Sequence, residues 1–286
     1  MKIASDWKDY EVLATGDGEK LERWGNVFLL RPDPQVIWSG ANDLSTFSRL
    51  NARYIRESTG GGHWENKKSF PDEWQISWQN LSFKIKPMGF KHTGLFPEQA
   101  VNWAEMIKLI GSANRPINVL NLFAYTGGAT VACASAGASV THVDAAKGMV
   151  DRAKENALLS GLGNASIRYI VDDCQKFVEK EIRRGKTYDA IIMDPPSYGR
   201  GPSGEAWKIE QNLFDFVKLC KGVLSDKPLF ILINSYTTGL QPVVLQNILS
   251  SVFGETSVEA YEVCLPTNEK GIFLPCGASG LKTWKN

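Results

Sequence analysis

The sequence predicts an α/β protein: a doubly wound, parallel sheet with a C-terminal antiparallel hairpin, preceded by a small β-rich domain. Three observations predict it. From residue 87 onward, short β-branched runs alternate with stretches of helical spacing, the pattern of a parallel sheet with crossover helices. Acidic or glycine residues stand at successive strand ends, where an open α/β sheet binds ligands. Ahead of residue 87 there is no long helical periodicity, only short alternating segments and turn signals. The chain therefore divides into residues 1–86 and residues 87–286.

The elements follow in order. Thr15-Gly16-Asp17-Gly18 reads as a turn, and Asn26 to Leu30 as a strand stopped by Arg31-Pro32-Asp33-Pro34. Trp74, Ile76 and Trp78 alternate with polar residues, as do Leu81, Phe83 and Ile85, with Gln79-Asn80 as a hairpin turn between them. Gly60-Gly61-Gly62 marks a flexible loop. Ala100 to Ile110 has helical spacing. Ile117 to Phe123 is a strand, and Gly128 to Ala136 a small-residue helix stopped by Gly137. Strands are expected at Ser139–Asp144, Ser166–Val171, Tyr188–Asp194 and Leu229–Asn234, with helices at Ala145–Ser160, Cys174–Arg184, Glu205–Val223 and Pro242–Phe253. Two β segments, 257–265 and 272–285, have no helix between them, so they should form the antiparallel hairpin at the sheet edge.

Composition bounds the function classes. The 286 residues carry 43% hydrophobic and 22% charged residues and a net charge of +1, ordinary for a globular protein. Any polyanion-binding surface must then be a local patch. The five cysteines, at 133, 174, 220, 264 and 276, have no C-x-x-C spacing, which disfavours a zinc site or a disulfide framework and fits a reducing compartment. The three histidines, 63, 92 and 142, share no helical register, so no metal is expected. The N-terminus lacks the apolar core of a signal peptide and no run is long enough to span a membrane; a cytoplasmic location is the expectation. A homodimer is compatible with the composition, which does not fix the oligomeric state.

The chemistry concentrates at the strand ends. Asp194-Pro195-Pro196-Ser197-Tyr198-Gly199 follows the apolar run 188–193. Neither proline donates a backbone hydrogen bond and both stiffen the turn, leaving the Asp194 carboxylate and nearby carbonyls as acceptors. Tyr198 can stack on a planar ring. Such a loop suits a nucleobase bearing N–H groups. Upstream, Asn121-Leu122-Phe123-Ala124-Tyr125-Thr126-Gly127-Gly128 joins strand to helix, with glycines that let backbone approach a ligand. Seventeen residues after Gly127, Asp144 ends the next strand, where a carboxylate accepts ribose hydroxyls; Asp172-Asp173 ends the third, where one can accept an adenine amino group. Taken singly, a Gly-Gly is usually a turn and a strand-end Asp a helix cap; the joint pattern carries the reading. A dinucleotide site needs G-x-G-x-x-G, and Phe123 and Tyr125 stand where those glycines would be. S-adenosylmethionine has no phosphate and tolerates bulk there, so it is the expected cofactor.

From about Gly89 to the C-terminus the chain resembles a class I S-adenosylmethionine-dependent methyltransferase with its Rossmann-like sheet. Within that class it is most similar to the group containing bacterial 23S rRNA cytosine-C5 methyltransferases. The stretches that carry this are Thr93-Gly94-Leu95-Phe96-Pro97-Glu98-Gln99, 119–128, Val143-Asp144-Ala145, 156–161, and the Asp-Pro-Pro loop with Gly199-Arg200-Gly201. The resemblance implies that Phe123 and Gly127, with Asn121, Tyr125 and Thr126, lie along the cofactor. It implies that Asp144 holds the ribose, Asp173 the adenine amino group and Asp194 the methionine end, with Phe96 and Gln99 over the cofactor from a preceding segment.

One departure matters. Enzymes that methylate cytosine C5 first attack C6 with a cysteine thiolate, which in the similar enzymes follows the strand after the Asp-Pro-Pro loop. Here that stretch is Asn234-Ser235-Tyr236-Thr237 and has no cysteine. Cys276 near the C-terminal hairpin is read as structural. Nitrogen methylation needs no covalent intermediate. Asp194 and the Pro195 carbonyl would accept the target N–H, and Tyr198 would stack the base or order the loop. In the front domain, Arg49, Arg53 and Arg56 have the spacing of one helical face, and Lys67, Lys68, Lys84 and Lys86 add charge beside aromatics. The expectation is a methyltransferase acting on a base in RNA, with ribosomal RNA as the partner class. The rivals are methylation of a small molecule or protein, and an inactive cofactor-binding RNA module.

Overall fold

The computed structural model describes residues 1–57, 61–200 and 206–284. The chain divides into two compact units: Ile3–Ala100 with Cys264–Cys276, and Met1–Lys2 with Val101–Val263 and Gly277–Asn286. Gly60, Gly201 and Glu205, each part of a sequence expectation, lie outside the described residues.

After the two-residue β1 (Lys2–Ile3), the front unit holds β2 (Tyr10–Gly16), β3 (Glu19–Trp24), β4 (Val27–Pro32), β5 (Ala52–Arg56) and β6 (Gly62–Asn66), paired in that order. A separate antiparallel hairpin is formed by β7 (Trp74–Trp78) and β8 (Leu81–Ile85). Its turn is the expected one, with Gln79 at φ 51°. Strand β4 runs two residues further than the sequence suggests because Arg31 has a buried partner. The Arg31 guanidinium donates from Nε and Nη2 to Glu22 at 2.6 and 2.7 Å, and the Tyr10 hydroxyl donates to the same carboxylate at 2.7 Å. Burial alone would raise the Glu22 carboxyl; the Arg31 and Lys20 charges and these hydrogen bonds bring it down to about 2.

Two expectations for this unit are corrected. Arg53 and Arg56 share no helix face; they lie on β5, because Arg-Tyr-Ile-Arg alternates with Tyr54 buried. Gly62 is not a loop residue but starts β6 opposite Arg56. At φ +154° its backbone lies so close that a Cβ would sit 2.1 Å from the Ile55 carbonyl oxygen, so only glycine fits.

From Ala100 onward the chain forms α1 (Ala100–Ser112), β9 (Asn118–Leu122), α2 (Gly128–Ser135), β10 (Ser139–Asp144), α3 (Lys147–Leu159), β11 (Ile167–Val171), α4 (Cys174–Arg183) and β12 (Ala190–Met193). A short ribbon, β13 (Tyr198–Arg200) with β14 (Ala206–Lys208), precedes α5 (Ile209–Cys220), β15 (Phe230–Ser235), α6 (Pro242–Phe253), β16 (Val258–Pro266) and β17 (Phe273–Thr283). The sheet order is β1-β16-β17-β15-β12-β9-β10-β11. Strands β15, β12, β9, β10 and β11 run parallel, and β17 is antiparallel to β15. The order reverses between β9 and β12, the switch point where such sheets bind ligands. Apolar side chains from both layers, among them Leu120, Phe177, Ile191, Phe216, Ile231 and Leu249, fill the core. The helix expected from Glu205 starts instead at Ile209. Ala206–Lys208 pairs with the end of the Asp-Pro-Pro loop, and Asn212 accepts the Lys208 N–H at 2.8 Å to cap the helix there. No helix among the described residues is long and apolar enough to cross a membrane.

Candidate active site

The parallel neighbours β12, β9, β10 and β11 bring Asp194, the 123–128 turn, Asp144 and Asp173 to one edge of the sheet. The turn is unusual in its backbone. Phe123, Tyr125 and Gly127 alternate in the left-handed region at φ 53°, 50° and 82°. For a non-glycine residue this costs about 1–2 kcal/mol, so the conformation must be imposed. Ala124 N donates to the Val143 carbonyl at 3.1 Å, Tyr125 N to Asp144 Oδ2 at 2.8 Å and Gly127 N to the Ala124 carbonyl at 3.0 Å. The Asn156 amide donates to the Thr126 carbonyl at 2.8 Å. Phe123 is further held by packing between Trp207 and Phe216, at ring separations of 5.4 and 5.6 Å. A Cβ on Gly127 would sit 2.7 Å from the Ala153 Cβ, so the backbone passes helix α3 at a distance only glycine permits. Asn121 is buried, and its amide donates to Thr130 Oγ1 at 2.9 Å, which in turn lies 2.9 Å from His142 Nδ1. Burial brings the His142 imidazole down to about 4, so it is neutral.

The acidic residues differ in how much acceptor capacity they retain. Asp144 takes the Tyr125 N–H on Oδ2 and the Ala146 N–H on Oδ1, each at 2.8 Å, leaving two of its four lone-pair sites for other donors. Burial raises its carboxyl, against the opposing pull of the two backbone N–H groups. Asp173 is the N-cap of α4, accepting the Lys176 N–H at 2.9 Å. Its neighbour Asp172 accepts Lys180 Nζ at 2.6 Å. Asp194 directly follows β12, half-buried, its N–H facing the Leu122 carbonyl at 3.4 Å. In the loop beyond it, the Pro196 carbonyl accepts the Trp207 indole N–H at 2.7 Å and the Ser197 carbonyl the Ile209 N–H at 3.1 Å. The Ser197 hydroxyl lies 2.6 Å from Thr237 Oγ1, tying this loop to the one after β15. Pro195 is buried, and Tyr198, at 54% exposed, opens to solvent.

Trp207 and Asn156 are the residues the sequence left unassigned. Trp207 fixes the Asp-Pro-Pro loop from a strand that looked helical, and no local signal marks it. Asn156 sits on the buried face of α3 with Ala153 and Ala157, a polar residue at an apolar position. Phe96 and Gln99 belong to the front unit, where Gln99 is buried and Phe96 half-buried in the turn Pro97–Gln99. Gln99 N donates to the Phe96 carbonyl at 3.1 Å.

The cysteines are placed consistently with a non-nucleophilic role. Cys133, Cys174, Cys220 and Cys264 are buried. Cys276 is half-buried, and burial followed by the Glu98 charge pushes its thiol well above the usual range, so it is not a ready thiolate. At the end of β15, Asn234 is locked. Its Oδ1 accepts from Asn102 Nδ2 at 3.1 Å and from the Ser279 hydroxyl at 2.8 Å, while the Tyr261 hydroxyl donates to Asn102 Oδ1 at 2.7 Å. Ser235 is also buried, its oxygen accepting the Thr237 N–H at 3.2 Å.

The profile of the S-adenosylmethionine-dependent methyltransferase family matches residues 35–225. The chain belongs to this family. S-adenosylmethionine is accordingly its cofactor, and the residues fit such a group: a glycine cradle, a neutral strand-end turn and a partly satisfied carboxylate, without a pyrophosphate loop. This methyltransferase is 33% identical to the SAM-dependent methyltransferase from Agrobacterium tumefaciens, with a TM-score of 0.92 over 98% of this chain and 92% of that one. A methyltransferase solved in complex with SAH shares the fold at a TM-score of 0.72, with 19% identity over 97% of this chain and 76% of that one. The ribosomal RNA large subunit methyltransferase K/L of Shewanella frigidimarina is 36% identical over 132 residues, 46% of this chain and 18% of that protein. The match thus spans less than a fifth of that relative's length.

Proposed function

We propose that this methyltransferase modifies a base in RNA, namely large-subunit ribosomal RNA, at a nitrogen atom. The observation that carries the substrate is the similarity to ribosomal RNA large subunit methyltransferases K/L. The observation that favours nitrogen is the absence of an available thiol beside the Asp-Pro-Pro loop among the described residues: Asn234 and Ser235 are engaged and buried. A cytoplasmic place of action goes with that substrate, and the β-rich front residues 1–86 would help hold it.

When bound, S-adenosylmethionine supplies an electrophilic methyl group. In our reading the remaining work is done by the chain. Asp144 accepts the ribose hydroxyls on its two remaining lone-pair sites, and Asp173 accepts the adenine amino group. Asn121, Phe123, Tyr125, Thr126 and Gly127 shape the backbone along the cofactor. Asp194 and the Pro195 carbonyl accept the N–H of the target base, which orients the nitrogen lone pair toward the methyl group and gives Asp194 the proton the nitrogen sheds. Tyr198 stacks on the base. The Pro196 and Ser197 carbonyls each already take one N–H, from Trp207 and Ile209, which holds the loop's backbone in place and leaves each with one lone pair.

The test is nucleoside mass spectrometry of ribosomal RNA from a deletion strain and from the same strain complemented with wild-type or Asp194→Ala protein. One methylated nucleoside should vanish and return only with wild type. An unchanged nucleoside profile in the deletion strain overturns the reading.

A further inference from the structure

The front unit presents one aromatic side chain at an apparent disadvantage to its own stability. Phe90 is 73% exposed, so its ring stays in water. Its backbone is left-handed at φ 57° and ψ 32°, and Lys91 follows at φ 66°. Two consecutive non-glycine residues in that region are disfavoured, and Phe gains no local hydrogen bond there as Asn or Asp would. The conformation is held from outside. Trp64 Nε1 donates to the Met88 carbonyl and Met88 N to the His92 carbonyl, each at 2.8 Å. Arg31 Nη1 donates to the Lys91 carbonyl at 2.9 Å, and Lys91 Nζ to the Pro32 carbonyl at 2.8 Å. Arg31 is itself fixed by the buried Glu22. The loop's backbone is therefore braced on the β3–β4 strand pair, and it carries the Phe90 ring outward. Strain of this kind persists where the presented side chain has a use.

The surroundings say which use. The Phe90 ring edge lies beside Gly61: a Cβ there would lie 3.9 Å from Phe90 Cε1. Gly62, next in sequence, pairs with Arg56, which is exposed and has no ion pair among the described residues. The other cations expected to face a polyanion are mostly neutralised. Arg53 bonds Glu19 at 2.9 Å, Lys84 and Lys86 share Glu73 at 2.5 and 3.1 Å, and Lys67 bonds Glu65 at 2.7 Å. Burial first, and then Lys20, Arg31 and Arg56, outweigh Asp33 and bring the Lys91 ammonium down to about 8.

We propose that Phe90 and Arg56 form an RNA-binding platform, in which the Phe90 ring stacks on an unpaired base and the Arg56 guanidinium meets the adjoining phosphate. This rests on the reading that RNA is the substrate. A ring carried on a braced backbone has only its side-chain rotamers left to order on stacking, and stacking tolerates any base because every base has a π-face.

The experiment uses the full chain and protein-free large-subunit ribosomal RNA. Phe90→Ala should weaken RNA binding by about 5- to 150-fold, the range for losing one base–aromatic stack. Phe90→Trp should restore binding, whereas Phe90→Leu, apolar but without a π-face, should not. Phe90→Gly should also lose RNA affinity while its Tm holds or rises, because glycine relieves the left-handed strain. Arg56→Gln should reduce the salt dependence of binding by roughly one phosphate contact. S-adenosylhomocysteine affinity should be unchanged in all of them. Equal RNA affinity in Phe90→Ala and wild type, or full rescue by Leu, overturns the platform while leaving the RNA reading intact. If the wild-type chain binds no RNA, the function reading fails and takes the platform with it.

Discussion

Gly127→Ala isolates the geometry on which the cofactor cradle depends. At φ +82° an alanine is left-handed, costing about 1–2 kcal/mol. The new Cβ would also sit 2.7 Å from the Ala153 Cβ, 3.3 Å from its Cα and 3.6 Å from His142 Cε1. None of these is a flexible side-chain end, so relief requires α2 and α3 to part; overpacking of this kind costs about 1–3 kcal/mol. The entropy removed from the unfolded chain returns roughly 0.4–1 kcal/mol, which leaves a net loss of about 1–5 kcal/mol. Each kcal/mol moves Tm by about 2–4 °C for a unit of this size, so calorimetry should show a fall of roughly 2–18 °C. Cofactor affinity should drop as well, because the turn that carries Phe123 to Gly128 is displaced. The double variant Gly127→Ala/Ala153→Gly removes the steric share but not the torsional one. A double-mutant cycle should therefore report a coupling of about 1–3 kcal/mol between the two positions. A Gly127→Ala protein with wild-type Tm and wild-type S-adenosylhomocysteine affinity would refute the reasoning.

Other outcomes follow from the same site. Asp194→Ala should slow methyl transfer by orders of magnitude in single-turnover assays while the far-UV spectrum and Tm stay near wild type; undiminished turnover would remove Asp194 from the chemistry. Asp144 has a carboxyl raised by burial, against two backbone N–H donors. Its contribution to folding is therefore fully present below the unfolded pKa and lost as pH rises through the folded value. Ribose hydroxyls donate to the ionised form, so S-adenosylhomocysteine affinity should weaken as pH falls through that raised value, and calorimetry on Asp144→Asn should show weaker, flatter binding. Replacing each cysteine singly by Ala should leave turnover largely intact, and RNA containing 5-fluorocytosine should form no denaturation-stable adduct; an adduct through Cys276 would mean a thiolate mechanism. Trp207→Phe should lower kcat with little change in cofactor affinity, since it frees the Pro196 carbonyl and costs about 0.5–1.5 kcal/mol of loop order.

What the sequence disclosed, and what it hid, has a physical pattern. Helix α6 is bounded by Pro242 at its first position and Gly254 just past its end, both local signals, and its expected and observed limits coincide. The central parallel strands β12 and β15 were legible because burial on both faces leaves near-continuous apolar runs. The ribbon β13–β14 was not. Ala206-Trp207-Lys208 is compatible with a helix, and only pairing with Tyr198–Arg200 makes it a strand. The cations of the front unit read as a basic face, yet Arg53 answers to Glu19, far away in the chain. Phe123 and Tyr125 hid their left-handed backbone because bulky residues rarely adopt it. Asp144 was marked by its place at a strand end, but its two backbone donors become visible only once the turn is folded over it.

The lock on Asn234 bears on how this scaffold could be re-engineered. A cysteine installed at 234 would not meet a substrate; it would face inward, leaving Asn102 and Ser279 with unanswered donors in the core. At 235 it would meet the same burial. A thiol placed at 234 or 235 would therefore lie within the core rather than at a surface. Opening position 234 outward would require rebuilding Asn102, Tyr261 and Ser279 together, three residues scattered over the chain that act as a single interlocking clasp.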